Sequence, residues 1–270
     1  MNEKKLRLGL VGKDVSKSKS EQMHRFILSQ MGYECEYESF SVEKQDFDWA
    51  MRRLLGDFDG FNITIPYKKD VMEYLDEIVG DAFSFGAVNT VLNATRTGYN
   101  TDGVGFIKML DLAGISVNGK NVLVLGAGGA GRSSAGALKQ AGANVWLYQR
   151  RREALEEACA QLGCSVAENP YQGGFDILLN CTGVGMHETV GCSPVTADAF
   201  DGAEAAVDLI YYPAESEFLR LARERGLKTL NGGAMLFYQA YYADCLYLGI
   251  EPSETQLTEL YRRYLAVYGE

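Results

Sequence analysis

The 270-residue sequence predicts an α/β protein of two domains. Three observations carry that expectation. A short apolar strand, Asn121 to Leu125, runs straight into Gly126-x-Gly128-x-x-Gly131 and then a helix-like stretch. Apolar segments of strand length alternate with helical segments on both sides of that point. The length suits one large domain or two moderate ones, and 47% apolar with 23% charged residues is ordinary for a globular chain.

Taken in order, Leu6 to Val11 reads as an apolar strand. Ser20 to Met31 reads as a helix with Met23, Phe26, Ile27 and Gln30 on one side. Tyr37 to Val42 is extended and Phe47 to Leu55 helical. Phe61 to Ile65 alternates as a strand, with Phe61, Ile63 and Ile65 on one face and Asn62 and Thr64 on the other, until Pro66 ends it. Lys68 to Val79 is expected to be a helix, from Val71, Leu75, Ile78 and Val79 at helical spacing. Ala87 to Leu92 and Thr97 to Asn100 form a hairpin pair across Asn93 to Arg96. Gly103 to Ala113 is a helix closed by Gly114.

After the glycine turn the strand–helix alternation continues to Leu230. Asp176 to Asn180 and Ala206 to Ile210 read as inner parallel strands. Ala234 to Leu248 and a helix starting near Ser253, where Ser253-x-x-Gln256 fits a capping box, close the chain. The expected divisions are residues 1–103, a mostly parallel α/β domain; 104–233, a second α/β domain; and 234–270, helices that return to the first. A cleft between the two domains is the expected place for a site.

The glycine spacing is that of a dinucleotide site when it follows a strand and opens a helix. Gly126 permits the tight turn, Gly128 lets the backbone approach a pyrophosphate, and Gly131 lets helix and strand pack closely. Gly126, Ala127, Gly128, Gly129 and Ala130 are therefore candidate cofactor contacts; a turn with no ligand is the alternative. The second strand of this domain, Ala143 to Tyr148, ends in Gln149-Arg150-Arg151-Arg152, where NAD enzymes usually carry an acid. A guanidinium grips a 2′-phosphate that an acid repels, so the expected cofactor is NADP(H). A solvated helix start also accounts for the arginines, although three cations there oppose the helix dipole.

Composition narrows the partners. Twenty-six basic against 36 acidic residues give a net charge of −10, which argues against nucleic acid. Gln239 and Asp244 interrupt the longest apolar stretch, Ala234 to Ile250, so a packed helix is expected there and no membrane span. The first seven residues lead into a strand without reading as a signal peptide, and the six cysteines contain no CxxC pair; reduced thiols and a cytoplasmic location are expected. His24 and His187 are the only histidines, and no metal site is expected.

Candidates for chemistry stand at odd places in the first domain. Lys68 follows a polar strand face, where a lysine is otherwise solvated. Asn89 lies in the apolar run Ala-Val-Asn-Thr-Val and needs a partner, either a ligand hydroxyl or backbone. Asp102, in Asn100-Thr-Asp-Gly, fits a turn or helix cap as well as an active role. Ser18 and Ser20 flank Lys19 before a helix; Ser20 suits an N-cap, and the two hydroxyls together suit a carboxylate.

Together these motifs resemble the shikimate dehydrogenase family from end to end. Ser18-Lys-Ser-Glu-Gln-Met-His24 is similar to the family's SxSPxxH substrate clasp. Asn62-Ile-Thr-Ile-Pro-Tyr-Lys68 is similar to its NVTxPxK motif, which carries the catalytic lysine. Ala87-Val-Asn-Thr90 and Asn100-Thr-Asp-Gly103 resemble AVNT and NTDG, and Gly126-Ala-Gly-Gly-Ala130 resembles GAGGA. Asn180-Cys-Thr182 with Gly185-Met186, Asp208-Leu-Ile-Tyr211-Tyr-Pro213, and Asn231-Gly-Gly-Ala-Met-Leu236 with Gln239 complete the series.

The resemblance implies reversible reduction of 3-dehydroshikimate by NADPH in a protein acting as a monomer or homodimer. It implies a catalytic Lys68–Asp102 pair and substrate contacts from Ser18, Ser20, Asn62, Thr64, Asn89, Tyr211 and Gln239. It adds Gln149, Arg150, Arg151, Thr182 and Gly232 to the cofactor contacts. Three departures stand out. Glu21 replaces a proline beside the clasp and weakens a carboxylate ligand unless it points away; Ala234 replaces a glycine; Gln149 and Arg151 alter the phosphate rim. The rival readings are a quinate or dual quinate/shikimate dehydrogenase using NAD, a non-catalytic NADP-binding regulator, and another two-domain NADP enzyme.

Overall fold

The computed structural model describes residues 5–269; the leader reading above rests partly on residues 1–4, which lie outside them. The chain divides into two units. One runs to Gly105 and resumes at Leu236; the other spans Phe106–Met235.

The first unit opens with β1 (Leu6–Gly12), α1 (Ser20–Gln30), β2 (Cys35–Ser41), α2 (Phe47–Asp57) and β3 (Gly60–Ile63). It continues through β4 (Glu77–Ile78), α3 (Asp81–Phe85), β5 (Thr90–Leu92) and β6 (Thr97–Tyr99) to the first turn of α4 (Asp102–Leu112), a helix whose remainder belongs to the second unit. Its sheet has the order β2-β1-β3-β5-β6-β4. β1 pairs in parallel with β2 and β3, β4 pairs in parallel with β6, and β5 runs antiparallel to both of its neighbours, β3 and β6.

The second unit contains β7 (Asn121–Leu125), α5 (Gly129–Gln140), β8 (Asn144–Tyr148), α6 (Arg152–Leu162) and β9 (Ser165–Val166). β10 (Ile177–Asn180), β11 (Ala205–Asp208), α7 (Glu217–Glu224) and β12 (Lys228–Asn231) follow. All its pairings are parallel, in the order β12-β11-β10-β7-β8-β9. Read from the other edge this is 3-2-1-4-5-6, the doubly wound order, whose switch point lies between β7 and β10. Inner strands here are buried on both faces, hence the unbroken apolar runs of β7 and β10.

Two helices, α8 (Gly233–Leu248) and α9 (Glu254–Tyr268), end the chain. Ser253 caps α9 by accepting from the Gln256 amide, as the capping box predicts. α8 belongs to the first unit's core: Ala243 and Tyr247 pack with Leu6, Leu8 and Leu10 of β1, Leu28 of α1 and Tyr37 of β2. The opposite side of that sheet packs Phe61 and Ile63 of β3 on Ala50, Met51 and Leu54 of α2. Gly60 is required by this packing, because a Cβ there would lie 2.4 Å from the Tyr247 ring and 2.7 Å from the Val91 carbonyl oxygen.

Four sequence expectations are corrected. Lys68 to Val79 is not an α-helix: a turn leads to a 3-10 stretch at Asp70–Tyr74, and Glu77–Ile78 becomes β4. The apolar spacing there is real, but Ile78 registers against Gly98 of β6 instead of continuing a helix. β3 ends at Ile63, and Ile65, expected inward, is 62% exposed beyond the strand. Asn89 precedes β5, although its amide donates to the Tyr99 carbonyl and its carbonyl accepts from Ile63. The inward face of α1 is Ser20, Met23, His24, Ile27 and Leu28, whereas Gln30 is exposed. Ser20 and His24 are polar, so a hydrophobic-spacing rule passes over them.

Candidate active site

The turn after β3 and the start of α4 bring Lys68 and Asp102 together. Lys68 Nζ lies 2.5 Å from Asp102 Oδ2, with side chains only 12% and 9% exposed. Each is fixed from behind. The Lys68 carbonyl accepts from the Val88 amide at 2.8 Å. Asn100 stands at the start of α4, its Oδ1 accepting from the amides of Asp102 and Gly103 while its Nδ2 donates to the Ala87 carbonyl. That is the capping role expected of an Asx residue, placed two residues before Asp102.

Asn89 is the junction behind the pair. Its Nδ2 donates to Asp102 Oδ1 and Thr101 Oγ1, both at 2.9 Å, and reaches Gln239 Oε1 at 3.3 Å. Its Oδ1 accepts from the Thr101 amide and the Thr90 hydroxyl. The buried amide is thus satisfied by the protein, and one of its bonds presses directly on the Asp102 carboxylate. With Lys68 on one oxygen and Asn89 on the other, that carboxylate is a held acceptor.

Asn62, on β3, is buried and accepts from the Tyr37 phenol at 3.1 Å while donating to the Asn89 carbonyl and Thr90 Oγ1. Thr64 is half-buried, one residue past β3. Ser18 donates to Ser20 Oγ at 3.0 Å and accepts from the Ser20 amide, so the two hydroxyls sit side by side at the start of α1. Glu21 turns to Arg25, 2.9 Å away and one helical turn on, both half-exposed. Its charge is therefore taken up by a guanidinium that also donates to the Cys35 carbonyl. Gln239, 8% exposed, donates to the Leu236 carbonyl and accepts from Asn89.

In the second unit the candidate cofactor residues all follow the carboxyl ends of strands. Gly126 follows β7, Gln149 follows β8, Thr182 lies just past β10 and Gly232 past β12; Tyr211, expected as a substrate contact, lies past β11. This is the end of a doubly wound sheet at which ligands bind. The glycines play three distinct parts. Gly126 has φ +103°, which L side chains rarely adopt. At Gly131 a Cβ would fall 2.0 Å from the Gly126 carbonyl oxygen, so helix and turn could not close. At Gly128 a Cβ would meet nothing within 4 Å, leaving open space in front of the first amides of α5. Those features fit a pyrophosphate.

Gln149 Oε1 accepts from the Ala127 amide at 2.8 Å, so this side chain braces the glycine turn. Arg152, the first residue of α6, is engaged by Glu156 and Glu168. Arg150 and Arg151 are exposed and make no ion pair among the described residues. Thr182 donates to Asn180 Oδ1 at 2.7 Å; Asn180 in turn donates to Asp208, which also takes the Ser216 hydroxyl at 2.6 Å. Burial pushes the Asp208 carboxyl and the Tyr211 phenol above their ordinary pKa ranges. Gly232 is buried, and a Cβ would meet the Leu209 carbonyl oxygen at 2.2 Å, a packing need that exists without any ligand. Ala130 opens α5 beside Gly129.

Sequence reasoning gave no role of their own to three side chains behind this site. His24, Tyr37 and Asp244 are buried next to Asn62 and the serine pair. Signals were available for two of them: Asp244 as an acid inside an apolar helix, and His24 as the last residue of the segment that resembles SxSPxxH. No group of His, Cys, Asp or Glu suited to a metal occurs among the described residues. Among those residues no helix is long and apolar enough to cross a membrane.

A doubly wound parallel sheet with a glycine turn at its switch-point strand, joined in one chain to a mixed sheet carrying a buried Lys–Asp pair, defines a dinucleotide-dependent oxidoreductase. The comparisons with known proteins specify which. Residues 10–91 match the shikimate dehydrogenase substrate binding domain. The NADP(+) shikimate dehydrogenase of Thermus thermophilus is 36% identical over 264 residues, 97% of this chain and 100% of that protein. The corresponding enzyme of Methanococcus maripaludis is 38% identical over 266 residues, covering 93% and 95%. A crystal structure of the Thermus thermophilus shikimate 5-dehydrogenase with NADP(H) and shikimate matches with a TM-score of 0.86 at 36% identity, covering 96% of this chain and 99% of that one. The chain belongs to the shikimate dehydrogenase family.

Proposed function

We propose that this protein catalyses the reversible reduction of 3-dehydroshikimate to shikimate with NADPH, a step of aromatic amino acid biosynthesis. The observation that carries the reading is the 2.5 Å contact between Lys68 and Asp102 in a largely buried setting. In this reading the first unit binds substrate and the second binds cofactor. Bound NADPH supplies the hydride.

The chain's own residues manage charge and proton. As the substrate carbon is reduced, its oxygen gains negative charge and needs a cation and then a proton. Lys68 offers an ammonium to that oxygen, and Asp102, held by Asn89, fixes the ammonium and can accept from the resulting hydroxyl. The proton that this oxygen takes up is supplied from the pair. In the oxidation direction the same pair takes the proton from the alcohol. Ser18 and Ser20 present adjacent hydroxyls to the substrate carboxylate. Asn62, Thr64, Asn89, Gln239 and Tyr211 read ring hydroxyls or line the site. Gly126 to Ala130 would cradle the pyrophosphate; Arg150 and Arg151, free of ion pairs among the described residues, would hold the 2′-phosphate, with Gln149 bracing the turn; Thr182 and Gly232 lie at the same strand ends. A cytoplasmic location and a monomeric or homodimeric state complete the proposal.

The test is absorbance at the NADPH band with four pairings: shikimate or quinate, each with NADP or NAD. Turnover confined mainly to shikimate with NADP supports the reading. Preference for quinate with NAD replaces it with the rival dehydrogenase, and no turnover in any pairing supports the non-catalytic rival.

A further inference from the structure

One buried polar cluster in the first unit is not used by the mechanism above. His24 Nδ1, on α1, lies 2.6 Å from Asp244 Oδ1, on α8, and both side chains are completely buried. With the carboxylate as acceptor, the ring nitrogen is the donor. His24 Nε2, Asp244 Oδ2 and the nearby Tyr247 hydroxyl have no hydrogen-bond partner among the described residues. Burial holds the Asp244 carboxyl above the ordinary range, and His24 offsets that only in part. A buried ionisable pair with half its polar atoms unmatched is a poor way to stabilise a core. An apolar pair would fill the same volume without the desolvation cost.

What the pair touches is more telling. The His24 ring stacks on Tyr37 with centroids 5.0 Å apart and 18° between planes. The Tyr37 phenol meets Ser20 on one side and donates to Asn62 on the other. Ser20 and His24 are four residues apart on α1, so they lie one above the other on a single helix face. Fixing His24 fixes the rotation of α1 about its axis, and with it the direction of the Ser18–Ser20 hydroxyls. Asn62 then leads through Thr90 and the Asn89 carbonyl to the groups behind Asp102. α8 holds this chain at both ends, through Asp244 on His24 and Gln239 on Asn89.

We propose that the buried His24–Asp244 pair is a positioning device: it sets the rotation of α1 and the ring of Tyr37, and so aims Ser18, Ser20 and Asn62 at the carboxylate and hydroxyls of the substrate. The inference rests on the functional reading given above. His24 and Asp244 touch no substrate in this scheme, so their removal acts on substrate affinity and leaves the proton chemistry of Lys68 and Asp102 in place.

The test uses Asp244→Asn and the apolar double variant His24→Phe/Asp244→Leu, with wild type assayed alongside. The expected result for Asp244→Asn is a KM for shikimate raised about tenfold, with kcat and the KM for NADP within about twofold of wild type. The double variant separates positioning from packing. It is expected to melt at or above the wild-type temperature, since an apolar pair often replaces a buried ion pair without loss, yet to keep the raised KM for shikimate. A wild-type KM for shikimate in either variant overturns the proposal, as does an equal fall of kcat and cofactor affinity. Absence of shikimate turnover in wild type itself would instead overturn the functional reading, and this inference with it.

Discussion

The two units make their candidate sites from different material. In the parallel-sheet unit the site is mostly main chain: a left-handed glycine, a glycine with open space before it and a glycine packed on a carbonyl, within six consecutive residues. In the mixed-sheet unit it is side chain: Lys68, Asn89, Asp102 and Gln239 come from a turn, a strand approach, a helix start and a helix near the end of the chain. A main-chain site binds whatever carries the right charge and shape, and its local sequence declares it. A side-chain site sets the chemistry, and its members become neighbours only when the chain folds. Substitutions in the first kind should therefore act on folding and cofactor affinity, those in the second on turnover.

The largest expected effect sharpens that contrast. Lys68→Ala should lower kcat by at least about 100-fold while equilibrium binding of shikimate and NADPH changes little. Unchanged turnover would remove Lys68 from the mechanism. Next, Gly131→Ala should destabilise the protein by about 1–3 kcal/mol, because its methyl would meet the Gly126 carbonyl oxygen. Thermal melting reads this directly, and an unshifted melt would mean that the turn relaxes freely. Arg150→Ala should weaken NADPH by about 10–100-fold, the worth of charge-assisted hydrogen bonds, with NADH affected far less. Equal losses would show that Arg150 does not read the 2′-phosphate.

Two smaller effects test the electrostatics. The Asp208 carboxyl is raised by burial, so the folded protein holds its proton to higher pH than the unfolded chain does. Folding stability from this group is therefore present at acid pH and lost as pH climbs from the unfolded pKa through the folded one. The melting temperature of Asp208→Asn, relative to wild type, should rise with pH across that window; a flat difference would contradict the assignment. Glu21→Pro restores the family's residue at the first turn of α1, where proline is tolerated. Glu21 is already spent on exposed Arg25, and an exposed pair is worth about 0–1 kcal/mol, so the KM for shikimate should move less than about twofold.

The contrast also explains what the sequence disclosed. Gly126 to Gly131, the arginines after β8 and the parallel strands were legible because the physics that demands them is local: backbone angles, amide direction and apolar runs. The Lys68–Asp102 contact was legible only through the resemblance of whole motifs, since Asp102 alone reads as a cap and Lys68 as a solvated cation. The helix expected over Lys68 to Val79 failed because strand pairing with β6 outweighed apolar spacing. Asp244 was visible as an acid in an apolar helix, but its partner is 220 positions away, and no periodicity links two residues on different elements. His24 was visible as the last residue of the SxSPxxH-like segment, but apolar spacing passes over a polar residue on the buried face of α1 and gave no hint of its partner.

The central claim is that Lys68 and Asp102 act as one device. A double-mutant cycle of Lys68→Ala, Asp102→Ala and the double variant, read as kcat for shikimate oxidation, tests it most directly. If the two side chains work as a unit, the double variant should be no slower than the worse single variant. If their losses multiply instead, the residues act independently and the coupled-pair account is wrong.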